Sequence, residues 1–117
     1  MRLPALALAL LVPAALAAPA DTGGKAREFV HDLKPGAIAE ECLRLEGGRS
    51  RDFEWTADGP VDFNIHFHQG DKVTYPVKLN AQRKGGGRFT AKSGEDYCWM
   101  WTARVRAKVT GRLGPEE

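Results

Sequence analysis

Serine is scarce in this chain. Ser50 and Ser93 are the only two in 117 residues, and neither stands in the Gly-x-Ser-x-Gly setting of an activated nucleophile. Gly85-Gly86-Gly87 lacks the Gly-Lys-Ser/Thr that completes a phosphate-binding loop. Glu40-Glu41 and Glu95-Asp96 stand side by side, as on a solvated surface, rather than as a spaced acid–base pair. These shortages leave catalysis without a constellation to carry it, so the chain is expected not to be an enzyme and to use no cofactor. A charge surplus is missing as well: 17 Lys and Arg stand against 15 Asp and Glu. Nucleic-acid binders usually show a clear basic excess, and none is present here.

Long apolar runs are absent after the first twenty residues, so no later segment is fit to cross a bilayer as a helix. Those first residues read as a secretory leader. Met1-Arg2 forms a short positive region, Leu3 to Leu16 an apolar one, and Ala15-Leu16-Ala17 and Ala18-Pro19-Ala20 offer cleavage sites. Pro4 and Pro13 interrupt the run, which disfavours an uncleaved membrane anchor. Residues 1–20 are therefore expected to be a signal peptide and residues 21–117 one exported domain with no transmembrane segment. The Ala-, Arg- and Gly-rich composition fits a bacterial periplasm or the outside of the cell. Loss of Arg2 lowers the net charge from +2 to about +1.

Cysteine is down to two, Cys42 in Glu-Glu-Cys-Leu-Arg-Leu and Cys98 in Glu-Asp-Tyr-Cys-Trp-Met-Trp. In an exported domain a lone pair reads as one disulfide joining two strands. Closing that loop is worth roughly 4 kcal/mol on the chain-entropy account, a large share of the stability of so small a core.

What remains is strand pattern. Phe63, Ile65 and Phe67 alternate with Asp62, Asn64, His66 and His68, and Val73, Tyr75, Val77 and Leu79 alternate across Lys72 to Leu79. Gln69-Gly70-Asp71 between them has hairpin-turn chemistry. Arg51 to Ala57 forms a further strand, stopped by Asp58-Gly59-Pro60, and Lys84-Gly85-Gly86-Gly87 reads as a flexible loop. Tyr97, Trp99 and Trp101 share a face, continued by Val105, Val109 and Leu113. Shorter strands are expected at Arg27 to Leu33, Glu41 to Leu45 and Arg88 to Ala91. Seven or eight short strands with frequent turns predict an all-β antiparallel sandwich.

Several of these segments resemble the GOLD (Golgi dynamics) domain. They are Glu41-Cys42-Leu43, Val61-Asp62-Phe63-Asn64-Ile65, Gly87-Arg88-Phe89-Thr90-Ala91 and Tyr97-Cys98-Trp99-Met100-Trp101, which fall in that family's order between about Val30 and Leu113. The resemblance implies a jelly-roll-like sandwich, a Cys42–Cys98 bridge, and recognition of proteins or lipids in place of catalysis. It departs from the family in lacking a coiled coil, a membrane helix and a sorting tail, and in placing Trp99-Met100-Trp101 after the cysteine.

Among polar residues, His66-Phe67-His68 is the sharpest feature. Residues i and i+2 of a strand share a face, so the two imidazoles stand together with Asp62 and Asn64. With Tyr75 and Lys78 from the next strand they form the expected recognition surface, for a protein, a lipid or a small polar ligand. His66 and His68 could also hold Zn²⁺ or Cu²⁺ if further ligands arrive, which would make the chain a periplasmic metal-binding protein. The plainest alternative is the solvated side of an amphipathic strand, and a structural partner of an envelope assembly is another. A copper site on Cys98, Met100 and the histidines requires a free thiol, which a bridge removes. Tyr97, Trp99 and Trp101, with Trp55, Phe63 and Phe89, are expected in the core. Arg83, Lys84, Arg88, Arg104, Arg106, Lys108 and Arg112 form either an anion-attracting face or the charged guard of an edge strand.

Overall fold

In the computed structural model, residues 24–117 are described, and the expected leader lies outside them. They form six antiparallel strands: β1 (Arg27–Leu33), β2 (Ile38–Leu45), β3 (Ser50–Gln69), β4 (Lys72–Thr90), β5 (Glu95–Ala103) and β6 (Ala107–Glu116). Their order in the single sheet is β1-β6-β3-β5-β2, with β4 paired to β3. The all-β class, the antiparallel pairing and the Cys42–Cys98 disulfide agree with expectation.

The strands are fewer and two are far longer than seven or eight short ones. Arg51–Ala57 and Val61–His68 belong to one strand of 20 residues. Asp58-Gly59-Pro60 does not stop it; pairing with β4 shifts register between Thr56 and Val61, and the strand bends. There β3 exchanges neighbours. Arg51 to Ala57 pairs with β6, whereas Val61 to His66 pairs with β5. The bend curls the sheet on itself, bringing Phe29 and Trp55 against Trp101 with ring centres 4.8 and 6.2 Å apart. β4 follows the same bend, with Ala81 at a positive φ of 51°.

The core is aromatic, and glycine makes room for it. In register across four strands stand Phe29, Gly111, Trp55 and Gly85. A Cβ on Gly111 would lie 2.5 Å from Phe29 Cζ and 2.8 Å from Trp55 Cβ; one on Gly85 would meet the Trp55 indole. Lys84 to Gly87 is therefore strand rather than the expected loop, its lost side chains replaced by the face of Trp55. Trp55, Phe63, Phe89, Tyr97, Trp99 and Trp101 are all buried as expected, and so are Val109 and Leu113. Val105 instead lies exposed in the turn between β5 and β6.

Among the described residues one buried side chain carries a permanent charge. Arg51 is 1 % exposed and donates from Nη1 to the carbonyls of Lys25 and Gly114, both at 2.9 Å. Beside it the backbone N–H of Glu116 reaches the Gly24 carbonyl at 2.8 Å.

The basic residues do not form an unopposed face, because carboxylates stand among them. Arg104 pairs with Asp62, Arg88 with Asp52 and Glu117, and Arg112 stands in register between Glu28 and Glu54. Nor do those on β6 guard an edge, since β6 lies between β1 and β3. Gly111→Ala should destabilise the protein by about 3 kcal/mol through overpacking, while Gly36→Ala, where a Cβ meets nothing, costs only local backbone strain. Urea melts of the two variants check the difference.

Candidate functional site

The outward face of the β2, β5, β3 and β4 segments holds the predicted polar residues, and register sets them in two rows. In the first, Cys42, Cys98 and His66 are consecutive neighbours across β2, β5 and β3. In the second, Glu40, Met100, Asn64 and Lys78 are neighbours across all four strands. Alternation explains the faces: Leu43, Ile65, Trp99 and Trp101 take the inner positions, so their neighbours point outward.

Outward here does not mean solvated. His66 is 4 % exposed and Asn64 7 %. The His66 ring lies 5.1 Å from that of His68 and 5.8 Å from that of Tyr75, and the disulfide closes its β5 side. Tyr75 itself is 44 % exposed, with Lys78 Nζ 5.0 Å from its ring centre. A bulge between Ile65 and Phe67 places Tyr75 over His66.

His66 Nδ1 and Asn64 Oδ1 are 2.7 Å apart. The amide oxygen only accepts, so Nδ1 carries the proton and donates. On a neutral ring that leaves Nε2 with a lone pair, 3.6 Å from Oε1 of Glu40. Burial pushes the imidazole below its ordinary value of 6.5; Glu40 opposes this, and His68 adds to it. A neutral imidazole therefore faces a carboxylate, two acceptors meeting across a short gap.

The structure thus gathers Asn64, His66, His68, Tyr75 and Lys78, but it takes Asp62 away. Asp62 accepts from Arg104 at 2.9 Å and from the Ala81 N–H at 2.9 Å, which fixes the β4 bend. Those bonds, the Arg104 one foremost, hold its carboxyl below the usual range. Glu40 went unforeseen, and Met100 was set beside the histidines only in the copper reading that the bridge removes. Their signal is the two-residue offset from Cys42 and Cys98, which lines up only once the strands are paired.

For a metal, the described residues offer one trio with ligating atoms within 4.8 Å, Glu40, Cys42 and Cys98. Its sulfurs are bonded to each other and are not thiolates. No described helix is long and apolar enough to cross a membrane.

No family model and no curated protein matches the chain. Among solved structures it is similar to PliG of Aeromonas hydrophila, a periplasmic lysozyme inhibitor of g-type lysozyme. The two are 13 % identical over 78 % of this chain and 88 % of that one, with a TM-score of 0.47. A de novo designed double-stranded β-helix is 21 % identical over 78 % of this chain and 99 % of the other, with a TM-score of 0.41. A third likeness, to infectious bursal disease virus Gx strain, covers 91 % of this chain and 36 % of that one at 10 % identity and a TM-score of 0.33. At such scores no activity passes from these proteins to this one.

The depressed His66 basicity has a pH signature. Above its unfolded value near 6.5 both states are neutral and His66 adds no pH dependence. As pH falls below that value the unfolded imidazole takes a proton that the folded one resists, so stability drops until the folded value is passed. Between about pH 7.5 and 5.5 the urea midpoint should fall more steeply for the wild type than for His66→Gln. Equal slopes would show that His66 is not held neutral.

Proposed function

We propose that the protein is an exported, non-enzymatic binding module that recognises a protein partner through the face around His66. The observation that carries this reading is the desolvated His66–Asn64 pair on the outside of the sheet. The core does not need it, and burying polar groups costs stability unless they are satisfied. Around the pair stand a disulfide, an exposed Tyr75 and a half-buried Met100, a surface of mixed polarity. Tyrosine on such a surface is a frequent anchor of protein interfaces. The leader-like first twenty residues and the disulfide favour the periplasm or the exterior, where thiols oxidise. The GOLD resemblance draws support from the Cys42–Cys98 pairing of an early strand with the aromatic one, and its jelly-roll sandwich would correspond to the two halves of the one curled sheet facing each other. A partner within an envelope assembly is the natural setting.

Affinity capture from native envelopes tests this. The wild type should retain a specific protein that Tyr75→Ala and His68→Ala lose at least tenfold, about the 1.4 kcal/mol that one anchor supplies. Retention of the same proteins by both variants would overturn the assignment of this face.

A second reading, a metal-binding protein, is favoured by the Nε2 of His66 facing Glu40. Asn64 holds the opposite ring nitrogen, as second-shell groups do for histidine ligands. Glu40 and His66 would supply two ligands of the kind Zn²⁺ takes, and His68 would have to swing towards them to supply a third. Calorimetric titration with Zn²⁺ at neutral pH should show stoichiometric uptake that His66→Ala and Glu40→Gln abolish. No uptake by the wild type removes this reading and leaves the first intact.

A further inference from the structure

The inner side of β4, turned away from Tyr75, is not fully covered. β4 pairs only with β3 among the described residues, and its two halves follow β3 around the bend. Between those halves lies a slot of about 370 Å³, with partly exposed Phe67 and Val77 as walls, buried Phe89 and Tyr97 beneath, and Thr74 and Lys92 at its rim. A smaller hollow of about 190 Å³ shares Val77 and Phe89 and extends the slot towards Leu79 and Arg88. The aromatic walls are braced. Tyr97 lies 5.3 Å from Phe67 and 5.0 Å from Phe89, ring to ring, and its hydroxyl donates to the Ser93 carbonyl at 2.7 Å.

Charge selects among occupants. No carboxylate lines either hollow. Arg88 is engaged by Asp52 and Glu117, whereas Lys92 stands exposed at the rim of the larger slot. An added strand fits poorly, because Pro76 has no N–H to offer and the pairing beside it is bulged. A membrane surface fits poorly too, since anionic lipid attracts clusters of cations and this rim presents one. We propose that the slot binds a free medium-chain fatty acid, its alkyl chain along Phe67, Val77, Phe89 and Tyr97 and its carboxylate at Lys92. The volume lies within the range of small-ligand pockets, which are mostly apolar with a few placed polar groups. This site is separate from the His66 face.

The test is calorimetric titration of the purified protein with dodecanoate below its micellar concentration. One saturable site is expected, weakened about tenfold by Lys92→Glu through charge reversal alone. Dodecanol should bind the wild type and Lys92→Glu equally. Thr74→Trp should block the slot while leaving capture of the envelope partner unchanged; if thermal melting shows that this variant misfolds, Lys92→Glu at the exposed rim decides. The proposal falls if dodecanoate shows no saturable binding, if Lys92→Glu leaves its affinity unaltered, or if dodecyltrimethylammonium binds as tightly. Binding to phosphatidylglycerol vesicles without binding of free dodecanoate would assign the slot to a membrane surface and overturn it as well.

Discussion

β3 changes partners halfway along its length, and the rest of the molecule follows from that exchange. A strand paired with β6 before its bend and β5 after it must turn its inner face upon itself. That turn encloses Trp55, Phe63, Trp99 and Trp101 without a second sheet having to assemble separately. Large rings near a tight bend leave no room for ordinary side chains on the neighbouring strands. Gly85 and Gly111 flank Trp55 for that reason, and aromatic residues and glycines alternate across the sheet.

Much of this was legible in residue pattern. Alternation from Val61 to His68 put the right side chains on the right faces, and β1 has the predicted limits. The pattern failed where meaning is non-local. Asp58-Gly59-Pro60 has the chemistry of a stop, yet backbone pairing resumes beyond it after a register shift. Three glycines carry no side-chain pattern, so nothing in Gly85-Gly86-Gly87 announces the indole lying against it. Asp62 looked like a member of the histidine row by period two, but Arg104 and the Ala81 amide, distant in sequence, claim it. Glu40 joins His66 only through the pairing of β2 with β5 and β5 with β3.

The two sides of the β4 hairpin have opposite characters. Outside, polar groups are withdrawn from water and organised around a neutral imidazole. Inside, Phe67 and Val77 stay partly open over buried Phe89 and Tyr97, because among the described residues β4 pairs only with β3. The same bulge opposite His66 serves both, setting Tyr75 over the histidine and leaving Pro76 among the residues of the slot.

Arg51 has a topological consequence. By holding Lys25 and Gly114 to one guanidinium, beside the Glu116 to Gly24 bond, it brings the start and finish of the described fold together. The six strands thus trace a nearly closed circuit in which the two ends of the described chain meet. A short linker across that gap, with new ends opened at the exposed Gly47-Gly48 turn, would give a circular permutant with every pairing preserved.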